Sequence, residues 1–110
     1  MRLKPDPFYK IKNGLKTIEL RLYDEKRQRI KEGDIIVFSV TDTTNQSLVV
    51  RVTALYCFDS FAQLYSTLPM DKCGYKKGEK ANHEDMNKYY TKEDQIEYGA
   101  IGIEFVLINA

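Results

Sequence analysis

Within a stretch of eight residues a glycine is followed by a lysine, a glutamate and an arginine: Gly14, Lys16, Glu19 and Arg21. An ammonium, a carboxylate and a guanidinium this close in sequence suit anion binding, the reading of a hydrogen-bonding edge, or the proton transfers of a hydrolysis. Whether they act together depends on the backbone beneath them. From Thr17 to Tyr23 the apolar residues Ile18, Leu20 and Leu22 alternate with Thr17, Glu19 and Arg21, the period of a β-strand with one buried face. Lys16 sits at the glycine corner, ahead of the pleat, and is free to swing toward the face that Glu19 and Arg21 share. The plainer alternative is a half-exposed strand whose charges are solvated.

The elements around this strand follow from local signals. Asp6 before Pro7 reads as an N-cap, Phe8, Ile11 and Leu15 recur at helical spacing, and Gly14 is a C-terminal stop, so a short helix is expected over Pro7–Asn13. The segment from Asp24 to Lys31 is rich in cations around a single apolar Ile30 and reads as a turn or irregular excursion, either solvated or a phosphate-contacting rim. The turn Glu32-Gly33-Asp34 leads into Ile35–Val40, expected to be a strand buried on much of both faces, and the polar loop Thr41–Ser47 returns it as Leu48–Leu55. Asp59 or Ser60 caps a helix to Ser66 that Pro69 ends. Residues 71–80 hold Gly74, Gly78 and four lysines and read as a mobile loop. A third short helix is expected from Asn82 to Tyr90, a fourth is started by Thr91-Lys92-Glu93-Asp94 and closed by Tyr98-Gly99, and the last strand runs through Ala100–Ile108 with Ile101, Ile103 and Phe105 on one face.

Composition narrows the function classes. The chain of 110 residues reads as one domain, 1–110, and its 43% hydrophobic and 30% charged residues are ordinary for a folded protein, so bulk disorder is not expected. A formal net charge of +1 leaves no general basic field, so any nucleic-acid contact must use a local patch. Cys57, Cys73 and the single histidine, His83, have no zinc-binding spacing; both thiols are read as reduced and structural, His83 as a surface or capping residue, and no metal or cofactor is expected. No apolar run approaches the roughly 20 residues of a membrane span, and Met1-Arg2-Leu3-Lys4 is not followed by a signal-peptide core. A cytoplasmic protein without a membrane partner is expected, its oligomeric state left open. Several antiparallel strands with short peripheral helices give an α+β fold whose sheet curls into a small barrel, closure removing exposed edges.

Three blocks, Phe8 to Arg21, Ile30 to Phe38 and Tyr98 to Phe105, resemble in order and spacing the ASCH family, related in fold to PUA domains, and most closely its small single-domain prokaryotic members. The resemblance implies a PUA-like, mostly antiparallel β-barrel with short flanking helices and a cleft into which residues 14–21 project. It also implies binding of RNA or a nucleoside-like small molecule. One bacterial branch of the family is an amidohydrolase acting on acetylcytidine with a lysine, a threonine three residues later and a glutamate from the later helical region. Lys16 matches that lysine, Glu19 stands in place of the threonine, and Glu84 or Glu79 is the candidate for the glutamate, Glu84 being preferred as helical.

The residues themselves support either activity. A nearby carboxylate suits a lysine to an electrostatic clamp better than to the role of free-amine base, so in a hydrolase Glu19 would be the base and Lys16 would stabilise the oxyanion. In a binding module Lys16 and Arg21 would hold a phosphate or base edge and Glu19 would accept from an exocyclic amine. A base would stack on Tyr89, Tyr90 or Tyr98, with Tyr90 taken as the ligand-binding choice.

Overall fold

A computed structural model describes residues 1–109; Ala110, the last residue of the expected domain, lies outside the described residues. Five strands form one mixed sheet: β1 (Arg2–Leu3), β2 (Ile18–Leu22), β3 (Ile35–Val40), β4 (Ser47–Phe58) and β5 (Ala100–Asn109), in the order β1-β3-β4-β5-β2. Among the described residues only β1 and β3 pair in parallel. Three helices flank the sheet: α1 (Pro5–Lys12), α2 (Phe61–Thr67) and α3 (Lys92–Tyr98). Two register shifts in the long β4–β5 ladder, at Val49/Val50 and at Val52/Ala54, bend the pair and give the sheet its curl.

The result is a half-barrel rather than a closed one. Among the described residues no backbone ladder joins the edge strands β1 and β2, and the expected closure is replaced by a side chain: Arg21 Nη2 donates to the Arg2 carbonyl across the gap, at 3.0 Å. The concave side is filled by Leu3, Phe8, Ile11, Ile36, Phe38, Val50, Val52, Ile101, Ile103 and Phe105, with α1 supplying Phe8 and Ile11 as a plug. A second cluster lies on the other face of β2 and β5, where Ile18, Leu20, Leu22 and Ala100 pack on Phe61, Leu64, Cys73 and Met86. β5 admits this second layer because Gly102 leaves room for Leu68, whose Cδ1 would stand 2.6 Å from a Cβ there.

Local signals placed most elements within two residues. Ser60 and Thr91 cap α2 and α3 by accepting from the Gln63 and Asp94 amides, and Gly99 ends α3 at a positive φ of 75°. Four expectations need correction. α1 begins at Pro5, Asp6 lies inside its first turn paired with Lys10, and Leu15, past the helix end, is 64% exposed. β3 is not buried on both faces: Ile35 is 53% exposed and Val37 also faces outward, because α1 packs on its inner face, against Ile36 and Phe38, and the second apolar cluster covers the outer face only around β2 and β5. The stretch after Asn82 is a 3₁₀ segment, His83–Lys88, with Asn82 accepting from the Glu84 amide. Residues 70–75 are pinned rather than loose: Met70–Cys73 is a 3₁₀ turn, Cys73 is buried, and the Thr17 amide donates to the Lys72 carbonyl.

Gly99 carries a double constraint, since an added Cβ would stand 2.5 Å from the Phe58 carbonyl oxygen at a backbone conformation that L-residues avoid. Gly78, at φ 86°, has open space around it. Gly99→Ala is therefore expected to cost more than the roughly 1 kcal/mol of left-handed strain alone, and Gly78→Ala about that amount. Thermal melts of the two variants check this; equal losses would contradict the close approach.

Candidate functional site

The corner that carries Lys16 is fixed from two sides. The Leu15 and Lys16 amides both donate to the Lys10 carbonyl at the end of α1, at 2.8 and 3.2 Å, and the flanking Thr17 amide reaches the Lys72 carbonyl at 2.9 Å. Gly74, at φ 105°, lies under the lysine stem; a Cβ there would meet Lys16 Cδ at 3.2 Å. Lys10 completes the frame by donating from Nζ to the Gly74 carbonyl.

Glu19 is then held between two cations. Lys16 Nζ stands 2.7 Å from its Oε1, and Arg21 reaches its Oε2 through Nε and Nη2, each at 2.9 Å. Lys16 is 9% exposed and Glu19 only 3%. The plainer alternative of a strand with solvated charges is thus set aside, and the register explains why: Glu19 and Arg21 lie opposite Ile103 and Ile101, residues of the concave core, while Ile18, Leu20 and Leu22 face the second cluster. Both faces of β2 are inside the protein. Burial alone would push the Glu19 carboxyl up, but the charges of Lys16 and Arg21 and their hydrogen bonds outweigh it and hold the group below its ordinary value of 4.5.

The three side chains form part of the lining of a cavity of about 480 Å³ between the open edge of the sheet, α1 and residues 65–90. Another wall is a hydroxyl chain. Tyr75 Oη donates to Asp85 Oδ2 at 2.9 Å, and Tyr65 Oη lies 2.8 Å from Tyr75 Oη. Since the Tyr75 proton is committed to the carboxylate, Tyr65 is the donor in that second bond. Burial first, then the bonds to Tyr65 and Asp85, drive the Tyr75 phenol well above its usual range. Cys73 also lines the cavity, its thiol pushed up to about 12 chiefly by burial, which leaves it inert as a nucleophile.

The other site residues expected from sequence separate here. Tyr90 borders the cavity but stacks on Phe61, ring planes 7° apart, so one face is spent on packing. Tyr89 is 57% exposed at the rim, with Lys4 Nζ 5.4 Å from its ring centroid. Tyr98 lies away from the cavity and donates to Glu25. Glu84, the preferred late glutamate, is exposed and does not line the cavity; Glu79 does, its Oε1 accepting from the Lys76 amide. His83 is exposed, edge-on to Tyr65. Sequence reading missed Tyr65, Tyr75 and Asp85 as one group. Tyr65 was assigned to the core by its helical spacing, and the other two lie in segments with no period to place them.

The fold agrees with what the chain is similar to. A sequence model of the ASCH domain matches residues 1–109. The chain belongs to the ASCH family. Members of this family are generally RNA-binding PUA-like modules. Among solved structures, the ASCH chain superposes on hypothetical protein PH0355 with a TM-score of 0.78 at 31% identity, covering 98% of this chain and 96% of that one. It superposes on protein PF0455 from Pyrococcus furiosus with a TM-score of 0.68 at 29% identity, over the full length of both. No curated protein matches it.

The clamp has a stability signature. Because the folded-state Glu19 carboxyl is held below 4.5, its contribution is present above that pH and is lost as pH falls through the lower folded-state value. Glu19→Gln leaves two buried cations without their counter-charge, and urea unfolding at neutral pH is expected to register a loss of about 3–5 kcal/mol. The same variant should flatten the fall in stability as the pH drops below the ordinary carboxyl value of 4.5. An unchanged acid limb would deny Glu19 this role.

Proposed function

We propose that this ASCH domain is a cytoplasmic module that binds single-stranded RNA, drawing one nucleotide into the cavity above Lys16, Glu19 and Arg21. The observation that carries this reading is the buried triad of net positive charge at the base of a nucleotide-sized hollow. Its volume of about 480 Å³ falls within the range of small-ligand pockets. Lys16 spends one N–H on Glu19, and among the described residues no other acceptor reaches it, so its remaining protons are open to a phosphate or base carbonyl. Tyr89 at the rim offers the ring face on which an unstacked base would lie, in place of the Lys4 ammonium.

Glu19 takes a different part from the one its position in sequence suggests. Both of its oxygens accept from cations, so it serves as the fixed counter-charge that orients Lys16 and Arg21 rather than as a reader of an amine. The same arrangement weighs against the amidohydrolase reading. A general base needs a proton affinity near the working pH, and the charges of Lys16 and Arg21 hold the Glu19 carboxyl below even its ordinary value. Incubation with acetylcytidine is expected to release no cytidine; steady turnover abolished by Lys16→Ala would put the hydrolase first.

Anisotropy titrations with a labelled short single-stranded RNA at two salt concentrations test the binding reading. Lys16→Ala is expected to weaken binding about tenfold or more and to lower the salt slope. Tyr89→Ala should cost about 1–3 kcal/mol, the range for one lost base stack. Folded variants that both bind as the wild type does would remove the cavity from the account.

A further inference from the structure

The hydrogen-bonding capacity left open around the cavity says more about its guest. Four carboxylates line it: Asp6, Glu19, Glu79 and Asp85. Glu19 has no free oxygen, Asp6 is paired with Lys10 out in solvent, and Glu79 is an exposed residue that closes its own turn. Asp85 differs from all three. It is half-buried, Tyr75 holds its Oδ2, and among the described residues no donor reaches its other oxygen. The Tyr75–Asp85 bond fixes the direction of the whole chain, with Tyr65 donating to Tyr75 and Tyr75 to Asp85, so this wall offers the cavity an acceptor and no donor.

We propose that Asp85, oriented by Tyr75 and Tyr65, is the specificity residue of the cavity and recognises an exocyclic amino group on the bound base. The inference rests on the RNA-binding reading and deepens it. Lys16 supplies the donor for a phosphate or carbonyl, and Asp85 supplies the acceptor, so a base bearing both a carbonyl or ring nitrogen and an amine satisfies the two walls together. A base without the amine leaves the carboxylate desolvated and unpaired. That asymmetry is what makes a site built to accept a hydrogen bond reject an analogue that lacks the donor. Tyr75 acts as a positioning residue: its hydroxyl does not need to touch the ligand, because it occupies one carboxylate oxygen of a residue that lines the cavity and leaves the other without a protein donor among the described residues.

The test uses the full chain and pairs of RNA tetranucleotides that differ only in the amine. One pair is oligocytidine against the same oligomer built on pyrimidin-2-one riboside; the other is oligoadenosine against oligomers of purine riboside. Wild type is expected to bind the amine-bearing member of each pair about tenfold or more tightly. In Asp85→Asn the amide oxygen accepts from Tyr75 and the amide nitrogen faces the cavity. That variant should bind the amine-bearing oligomers more weakly and the amine-free ones unchanged, erasing the preference. Tyr75→Phe should narrow the preference without removing binding. Equal binding of both members by wild type overturns the inference while leaving RNA binding in place, as does an Asp85→Asn variant that loses affinity for all four oligomers alike, the result of a merely structural aspartate. Failure of every oligomer to bind wild type overturns the RNA-binding reading as well.

Discussion

Everything in this molecule that concerns the cavity hangs on one buried carboxylate. Glu19 sits on the concave side of the sheet among aliphatic neighbours, a position where an unpaired charge would be prohibitive. It is tolerated because two cations arrive from different directions: Lys16 from the corner after α1, and Arg21 from two residues further along the same strand. Each cation is itself anchored to a separate part of the fold, Lys16 through its backbone to α1 and through the neighbouring Thr17 amide to the turn at Lys72, Arg21 through its second donor to the carbonyl of Arg2. A single acid group thereby ties together the plug helix, both open edges of the sheet and the covering segment.

This arrangement separates scaffold from site on one short strand. The odd positions of β2 carry charge into the curl, and the even positions carry leucine and isoleucine into a second apolar layer. The second layer is what dries the first, since α2 and the 3₁₀ segments that cover Ile18, Leu20 and Leu22 also supply the tyrosine wall of the cavity. Packing on one face and electrostatics on the other are therefore coupled through the rigid backbone between them.

What the sequence disclosed and what it hid divide along the range of the interactions. Strand β5, the alternation of β2, the caps at Ser60 and Thr91 and the ending at Gly99 were legible because each depends on neighbours within a few residues. The burial of Glu19 was not, because alternation of polar and apolar residues looks the same whether the polar face meets water or a cavity. Similarly, Ile35 and Val37 read as core from their β-branched character, yet their exposure is decided by helices that happen to pack elsewhere. The stacking of Tyr90 on Phe61 was hidden for a related reason, since it joins residues 29 positions apart in sequence.

The bond from Arg21 to the Arg2 carbonyl has a mechanical meaning. A cylinder laddered all the way round resists widening with many amides at once, whereas among the described residues this one is buttoned at its seam by a guanidinium that also grips the acid at the base of the cavity. Any occupant that pulls Arg21 toward itself slackens the button, so grip on the occupant and breadth of the opening are set by the same side chain and trade against one another.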